Sequence, residues 1–384
     1  MRKLWLTFAQ TATVALAVLF VLTTLKPEWL PQRAQGPQVV ELTQSTQASL
    51  APTRAGSYSD AVRKAAPAVV SIFTSKDVKV QQHPFFNDPL FRRFFGDGAG
   101  EESQRASGLG SGVIVSARGY ILTNHHVVEA ADEIEVALAD GKKLRAKVIG
   151  TDQETDLAVL QVAGADLPSI TFGQAENAKV GDVVLAIGNP FGVGQTVTMG
   201  IVSALGRSGL QINTYENFIQ TDAAINPGNS GGALTDAAGN LIGINTAIYS
   251  RTGGSLGIGF AIPVSTARQV MEQIIATGSV TRGWIGVEAQ EISPELAESF
   301  RLPSTAGALI AGVLKGSPAD RAGVKPGDIL ISINARPVTD PTAMLNMVAA
   351  LTPGKAAVAR LRRDQKEIEL QVEVGKRPPA QRRR

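Results

Sequence analysis

Short apolar runs separated by turn residues repeat along this chain, and they limit the folds that it can adopt. They form two successive sets, the first between Gly112 and Val162 and the second between Val183 and Ile262. The 39 glycines and the aromatic content of 5% fit many turns better than a bundle of helices. Many short strands at such spacing favour antiparallel sheets that close into barrels or stack as a sandwich.

One serine stands among glycines in the second set. Ser230 belongs to the stretch Asn-Pro-Gly-Asn-Ser-Gly-Gly, residues 226–232. Glycine on both sides allows tight turns and lets a substrate chain come close. Such a loop can direct backbone N–H groups at one point, where the negative oxygen of a tetrahedral intermediate forms. The predicted oxyanion hole therefore consists of Gly228, Asn229 and Ser230.

A serine nucleophile needs a base and a group that orients the base. Of the three histidines in the chain, His125 and His126 follow the apolar run Tyr120–Thr123. Asp156 directly precedes a second apolar run, and the order His126, Asp156, Ser230 is the chymotrypsin-type order of a catalytic triad. The residues alone leave His125 open as a rival base. They also leave three rival acids, which are Asp152, Glu154 and Asp222.

Three motifs together, Thr-Asn-His-His-Val-Val, Thr-Asp-Leu-Ala-Val-Leu and Gly-Asn-Ser-Gly-Gly-Ala-Leu, closely resemble those of the HtrA/Deg serine proteases. The resemblance implies a mainly β protein with a chymotrypsin-like pair of six-stranded barrels. His126 and Asp156 would come from the first barrel and Ser230 from the second. It selects His126 over His125, because the catalytic histidine of the family stands directly before the valine.

The predicted substrate pocket consists of Ala224, Ile225 and Asn245. In chymotrypsin-like enzymes the base of this pocket lies six residues before the serine, and here that residue is Ala224. Without a buried anion, a lysine or arginine of the substrate would lack a partner, so small or aliphatic residues are expected at the cleavage site. No cofactor or metal is predicted. The chain has no cysteine, and the adjacent histidines are expected to point to opposite sides of an extended strand.

A second, α+β domain is predicted beyond a helix over Ser265–Thr277, for which Ser265 is the predicted N-cap and Gly278 the predicted end. The block Gly316–Asn334 resembles a PDZ domain. In such domains a C-terminal peptide adds to a sheet edge, and a nest of N–H groups holds its carboxylate. The resemblance assigns peptide binding to Trp284, Ile285, Gly286 and Val287, although Val287 is also compatible with a plain core strand.

The N-terminus combines the basic Met1-Arg2-Lys3 with an uncharged stretch from Leu4 to Leu25. That stretch is long enough to cross a bilayer as a helix, which needs about 20 residues. The positive end is expected to stay in the cytoplasm, which places the rest of the chain in the periplasm. A cleaved signal peptide is the competing interpretation, but no small-x-small cleavage site follows Leu25. A single-pass anchor in the inner membrane is therefore expected.

The predicted organisation is a cytoplasmic N-terminus (1–3), a transmembrane helix (4–25), a flexible linker (26–56), a protease domain (57–280), one PDZ domain (281–377) and a basic tail (378–384). The aromatic run Phe85–Phe95 needs a place of burial. The resemblance implies homotrimer contacts there, and burial under the chain's own loops is the alternative. The net charge is only +3, and positive and negative residues are spread along the chain, so the sequence does not predict nucleic-acid binding.

The resemblance implies an ATP-independent serine endopeptidase of envelope protein quality control. It would cut unfolded proteins or a membrane-bound regulator when a C-terminal peptide binds the PDZ domain. Residues 205–217, before the nucleophile, would carry this regulation. Tyr215 stands where stress-sensing relatives align an arginine, and Arg207 is the nearest basic residue. The rival function is a catalytically silent, PDZ-based chaperone or scaffold.

Overall fold

The computed structural model of the chain describes residues 42–44, 56–78, 104–129, 131–164, 166–189, 194–248 and 254–378. All of them belong to one structural unit, Glu41–Arg384. The predicted anchor, most of the linker, the aromatic run 85–95 and all but Pro378 of the basic tail lie outside these ranges. Within them, no helix is both long enough and apolar enough to cross a membrane.

The first barrel follows a helix α1 (Ser59–Ala65), which ends in a 3-10 turn over Ala66–Ala68 because Pro67 cannot continue it. Its strands pair antiparallel in the closed order β1-β2-β3-β6-β5-β4. A one-turn helix α2 (His125–Val128) leaves β3, so the prediction of an extended strand at the two histidines is wrong. The strands are β1 (Val69–Val78), β2 (Gln104–Ile114), β3 (Tyr120–Thr123), β4 (Glu133–Ala137), β5 (Lys143–Asp152) and β6 (Leu157–Val162).

The second barrel closes in the order β10-β11-β12-β9-β8-β7, again with antiparallel neighbours. All four residues of β10 are buried, and they include the polar Thr235 and Asp236. The strands are β7 (Val183–Gly188), β8 (Thr196–Arg207), β9 (Phe218–Thr221), β10 (Ala233–Asp236), β11 (Leu241–Ile248) and β12 (Gly259–Pro263). The fold is thus mainly β, with two barrels in a row as expected.

The helix α3 (Val264–Thr277) leaves β12 without a loop and packs against strands of both barrels. Val270, Met271 and Ile274 are buried on its inner face. The predicted cap is wrong: the N-cap position is Pro263 and Ser265 lies inside the helix, because the fixed backbone of proline already favours the turn. The end is as predicted, since Gly278 is left-handed at φ 77° and its N–H donates to Ile274 O.

The remaining strands form an α+β domain with a sheet in the order β14-β15-β16-β18-β19, to which β17 adds beside β16. A two-stranded sheet of β13 and β20 joins its first and last residues. The strands are β13 (Gly283–Trp284), β14 (Val287–Gln290), β15 (Ala308–Val313), β16 (Ile329–Ile333), β17 (Arg336–Pro337), β18 (Ala356–Arg363), β19 (Lys366–Glu373) and β20 (Gly375–Lys376). The helices are α4 (Pro294–Ser299), α5 (Pro318–Arg321) and α6 (Pro341–Ala349).

Two residues assigned to the flexible linker, Thr43 and Gln44, pair with Phe172 beside the second barrel. Gln44 forms a parallel bridge with Phe172, which in turn bridges Leu241 of β11. The N–H of Phe172 donates to the carbonyl of Thr43 at 2.9 Å. Thr43 and Gln44 are therefore held against the folded body at this point.

Candidate active site

His126 and Asp156 form a hydrogen-bonded pair at the ends of two strands of the first barrel. Nδ1 of His126 lies 2.8 Å from Oδ2 of Asp156. The backbone N–H of His126 donates to Oδ1 of the same carboxylate at 3.0 Å. Both carboxylate oxygens of Asp156 therefore accept hydrogen bonds from His126. Because a carboxylate only accepts, Nδ1 carries the ring proton and Nε2 is left to act as the base.

The backbone of Asp156 is held in a left-handed conformation, with φ at 58°. Aspartate tolerates this region better than most residues. Its carbonyl accepts from Nδ2 of Asn124 at 2.9 Å and from the N–H of His125 at 3.2 Å. These two donors fix the turn that aims the carboxylate at His126.

The second barrel adds a further donor to Asp156. Oγ1 of Thr246, on β11, donates to Oδ2 of Asp156 at 2.7 Å. Burial alone would raise the pKa of Asp156, but the hydrogen bonds and charge of His126 and the hydroxyl of Thr246 lower it below the ordinary value of 3.8. A lowered pKa stabilises the fold fully above the ordinary pKa, and that contribution is lost as the pH falls through the lowered one.

Replacing Thr246 with valine is expected to reduce the free energy of unfolding by about 1.5 kcal/mol at pH 6, because an ionised acceptor loses a donor. The difference from the wild type should shrink below about pH 4, as Asp156 takes up its proton. Urea unfolding at pH 6 and pH 3 measures both values. Thr235→Val is the control, because Thr235 is also fully buried but donates to the carbonyl of Leu185. A loss in Thr246→Val that does not depend on pH would contradict the assignment.

Ser230 lies half-buried in the loop before β10, next to this pair. Its Oγ donates to the carbonyl of Thr246 at 3.3 Å, and among the described residues it makes no hydrogen bond to His126. The three side chains therefore come from the two barrels as expected. The hydroxyl of Ser230 must turn toward Nε2 of His126 before it can attack.

The loop around Ser230 leaves two backbone donors free of described acceptors, the N–H groups of Gly228 and Ser230. Gly228 has φ at 101°, a conformation that favours glycine. The N–H of Asn229 instead donates to the carbonyl of Asn226 at 2.9 Å. The candidate oxyanion donors are therefore Gly228 and Ser230, and the predicted Asn229 is not one of them, because its N–H already donates within the turn.

None of the rival residues takes the place of His126 or Asp156 in the hydrogen-bonded pair. His125 has no hydrogen-bond partner on either ring nitrogen within the described ranges, and its Nε2 lies 3.7 Å from Glu129. Asp222 accepts the N–H of Ile201 at 2.7 Å, so it supports β8 and not the nucleophile loop. Asp152 and Glu154 bind arginines of the second domain.

The predicted pocket residues are largely closed off in this structure. Ile225 and Asn245 are fully buried, at 1% and 0% exposure. The amide of Asn245 donates to the carbonyl of Ala233 at 3.0 Å, inside the barrel. Ala224 keeps partial exposure, and its carbonyl accepts from Thr198 at 2.8 Å. Within the described residues, no three acidic or histidine side chains converge as metal ligands.

The predicted peptide-binding loop stands at a free sheet edge. Gly286 has φ at 78°, and a side chain there would come within 2.3 Å of Cβ of Ser317. Ile285 is buried in the domain core, while Val287 begins β14 and is half-buried against that core. Because β14 pairs only with β15 among the described strands, its other edge is open to an added strand.

Comparisons with known proteins match both parts of the chain. The trypsin-like peptidase domain family matches residues 110–244, and the PDZ domain family matches residues 283–374. A solved HtrA-type protease, AlgW with decapeptide, is 55% identical, covers 84% of this chain and 99% of its own, and superposes with a TM-score of 0.73. A probable periplasmic serine endoprotease, DegP-like, of Hahella chejuensis is 47% identical over 84% of this chain and 70% of its own length.

The chain belongs to the HtrA family of serine proteases. A DegP-like relative from Chlamydia trachomatis is 48% identical over 78% of this chain, and the chain spans 61% of that relative's length. The serine endoprotease of Yersinia pestis, a solved structure, is 38% identical with a TM-score of 0.62. This HtrA-family chain thus carries the peptidase domain of a serine endoprotease followed by a single PDZ domain.

A buried ionic junction, which sequence reasoning missed, joins the two parts of this HtrA-family chain. Arg282 forms two hydrogen bonds with Asp152, and its Nη1 lies 3.3 Å from Glu154. Nε of Arg377 donates to Glu154 at 2.7 Å. Burial would lower the pKa of Arg282, but the hydrogen bond and charge of Asp152 and the charge of Glu154 raise it, so the guanidinium stays charged.

Both arginines also stack on Tyr215, the residue singled out for regulation. The guanidinium carbons of Arg282 and Arg377 lie 4.5 and 5.4 Å from the centre of its ring. Burial, with a smaller contribution from Glu154, raises the pKa of Tyr215 to about 12, so the phenol is neutral near pH 7. Arg207 does not take part, because its Nε donates to Gln220 on the neighbouring strand at 2.8 Å.

The loop that contains Tyr215, residues 208–217, is organised by Glu216. The carboxylate of this buried residue accepts the N–H groups of Leu210, Ile212 and Asn213 at 2.6, 2.6 and 3.0 Å. Its backbone carbonyl accepts from Nδ2 of Asn346, on α6 of the PDZ domain, at 3.1 Å. The loop before the nucleophile therefore contacts the PDZ domain at two points, Tyr215 and Glu216.

Proposed function

We propose that this HtrA-family chain hydrolyses peptide bonds in unfolded proteins, or in one membrane-bound regulator, without ATP. The observation that carries the proposal is the His126–Asp156 pair, with atoms 2.8 Å apart, beside Ser230. The loop of Ser230 offers two N–H donors that have no acceptor among the described residues. Small or aliphatic residues are the proposed cleavage sites, since Ala224 supplies no anion to a basic side chain. We assign the protease domain to residues 57–280 and the PDZ domain to residues 281–377.

In the proposed reaction, Ser230 turns from Thr246 toward His126 and attacks the scissile carbonyl. His126 takes the serine proton at Nε2 and later gives it to the leaving amine. Asp156 holds the imidazole in the correct orientation and stabilises its charged form. The N–H groups of Gly228 and Ser230 stabilise the negative oxygen of the tetrahedral intermediate. Water then repeats the sequence on the acyl-enzyme and releases the second product.

The PDZ domain is the proposed regulator. A C-terminal peptide would add to the edge of β14 and place its carboxylate at the loop of Trp284, Ile285, Gly286 and Val287. The support for coupling is the junction, where Arg282 and Arg377 of the PDZ domain both contact the ring of Tyr215. The solved AlgW structures with a decapeptide and a tripeptide show that a similar protein binds peptides.

We place the catalytic and PDZ domains in the periplasm, tethered to the inner membrane by residues 4–25, and we propose a homotrimer. The periplasmic part of this proposal is supported by the relatives that are named probable periplasmic endoproteases. The anchor rests on the uncharged stretch Leu4–Leu25, and the trimer rests on the family resemblance of the aromatic run Phe85–Phe95. Envelope protein quality control is the role that fits this location and a substrate of unfolded chains.

The test is cleavage of an unfolded protein by the full-length chain, with and without a peptide that ends in an apolar residue and a free carboxylate. We expect the peptide to raise the cleavage rate at least threefold, because its binding energy favours the active arrangement of the loop. Mass spectrometry of the products should place the cuts after Val, Ala or similar residues.

The matched control is the same peptide with a C-terminal carboxamide. It keeps every side chain but loses the charge that the N–H nest binds, so it should leave the rate unchanged. Equal stimulation by both peptides would refute carboxylate recognition. Peptide binding without any cleavage would favour the chaperone or scaffold function.

A further inference from the structure

Ser111, on β2 of the first barrel, contacts the nucleophile loop of the second barrel at two points. Its backbone N–H donates to the carbonyl of Ser230 at 2.8 Å. Its hydroxyl Oγ donates to the carbonyl of Gly228 at 2.6 Å. The side chain is completely buried, with 0% exposure. One residue of the first barrel thus touches both ends of the oxyanion segment.

These contacts fix the peptide planes that surround the two oxyanion donors. In the plane between Gly228 and Asn229, the carbonyl is held by Ser111 and the N–H donates to Asn226 at 2.9 Å. In the plane between Ser230 and Gly231, the carbonyl is again held by Ser111 and the N–H donates to Asn245 at 2.8 Å. The plane between Gly228 and Asn229 lies between the donors Gly228 N–H and Ser230 N–H, so its orientation sets the angle between them.

The hydroxyl of Ser111 has little freedom to turn elsewhere. Oγ accepts the N–H of Asn189 at 2.9 Å, which directs its single proton to Gly228. Nδ2 of Asn189 donates to Oγ of Ser71 at 2.6 Å, so this partner is fixed as well. A side chain at Gly188 would come within 3.0 Å of the hydroxyl, which shows how closely the site is packed.

We propose that Ser111 is a positioning residue for the oxyanion hole and acts through the peptide between Gly228 and Asn229. This inference rests on the proposed peptidase function and adds a residue to it. Without the hydroxyl, the carbonyl of Gly228 loses the donor that holds it. The N–H groups of Gly228 and Ser230 then no longer point reliably at the position of the oxyanion. A misdirected oxyanion donor lowers the rate of the chemical step more than it weakens substrate binding.

The test is Ser111→Ala in the full-length chain, with kcat and KM measured on a peptide substrate. We expect kcat to fall about tenfold to a hundredfold while KM changes less than threefold. Hydrogen exchange of the backbone amides in residues 226–231 should become at least tenfold faster, because the peptide plane between Gly228 and Asn229 is no longer held. Ser111→Thr keeps the hydroxyl and should restore most of kcat.

Ser116→Ala is the matched control, because Ser116 is a buried serine just beyond β2 whose hydroxyl accepts the N–H of Arg118 in its local turn. It should leave kcat and the exchange of residues 226–231 within about twofold of the wild type. An unchanged kcat and exchange rate in Ser111→Ala would overturn the inference. If the wild type cleaves nothing, the proposed function fails, and the exchange rate still decides whether Ser111 holds the loop.

Discussion

Replacing Ser230 with alanine is expected to lower the rate of peptide hydrolysis by about 10⁴-fold or more, because the attacking oxygen is removed. The fold should not change. Oγ of Ser230 makes one hydrogen bond, at 3.3 Å to the carbonyl of Thr246, and the side chain is half-buried. The affinity of the PDZ domain for a C-terminal peptide should equal that of the wild type, since β14 lies in the other domain.

The measurement pairs the cleavage rate of an unfolded substrate with peptide affinity from fluorescence anisotropy. Ser265→Ala is the control, because Ser265 is a half-buried serine inside α3 that neither caps the helix nor contacts the site. It should retain full activity and full labelling by a fluorophosphonate, which reacts with activated serines. Residual cleavage in Ser230→Ala above about 1% of the wild-type rate would show that another group attacks the substrate.

The local patterns of the sequence were sufficient for many short antiparallel strands and for the three triad candidates, while the two barrels and the PDZ domain were predicted from the resemblance to HtrA/Deg proteases and to PDZ domains. Alternating apolar runs indicate strands, and glycines beside Ser230 indicate a tight loop. The local geometry was harder to predict. No proline or glycine separates the apolar strand from His125 and His126, yet the chain turns into helix α2 there. It does so because Asp156 accepts hydrogen bonds from the backbone N–H groups of both histidines.

The residues that sequence reasoning missed act over long separations along the chain. Thr246 is 90 positions from Asp156, Ser111 is 117 positions from Gly228, and Arg282 is 130 positions from Asp152. Thr246, Ser111 and Arg282 do not lie in sequence motifs that would predict which distant residue each one contacts. Ser111 does lie in a glycine-rich run, Gly108-Leu109-Gly110-Ser111-Gly112. Glycines within a strand often mark a place where another backbone comes close, and this signal could have pointed to Ser111.

Replacing Arg282 with methionine is expected to reduce the free energy of unfolding by about 3–5 kcal/mol, because it leaves a buried carboxylate without its cation. The side chains of Arg282 and Asp152 are only 9% and 6% exposed. The surface pair of Arg145 and Glu133 is the matched control, with its atoms 2.8 Å apart but its side chains 79% and 55% exposed. Arg145→Met should cost at most about 1 kcal/mol.

The double variant Asp152→Asn with Arg282→Met removes both charges together. Urea unfolding should recover most of the loss seen in Arg282→Met, since no unpaired charge remains in the junction. The amide that replaces the carboxylate still offers an oxygen to the hydroxyl of Thr155, which donates to Asp152 in the wild type. A double variant as unstable as the single one would mean that Arg282 stabilises the fold through packing and not through charge.

The same two variants separate stability from communication between the domains. In the wild type, Arg282 contacts both Asp152 and the ring of Tyr215, so under the proposed regulation we expect it to carry a movement of the PDZ domain to the loop of residues 208–217. Both variants remove that link. The ratio of peptide-stimulated to basal cleavage should therefore fall toward one in both, although only the single variant is strongly destabilised. A ratio that stays at the wild-type value in the stable double variant would assign the coupling to the contacts that remain, Arg377 on the ring of Tyr215 and Asn346 with the carbonyl of Glu216.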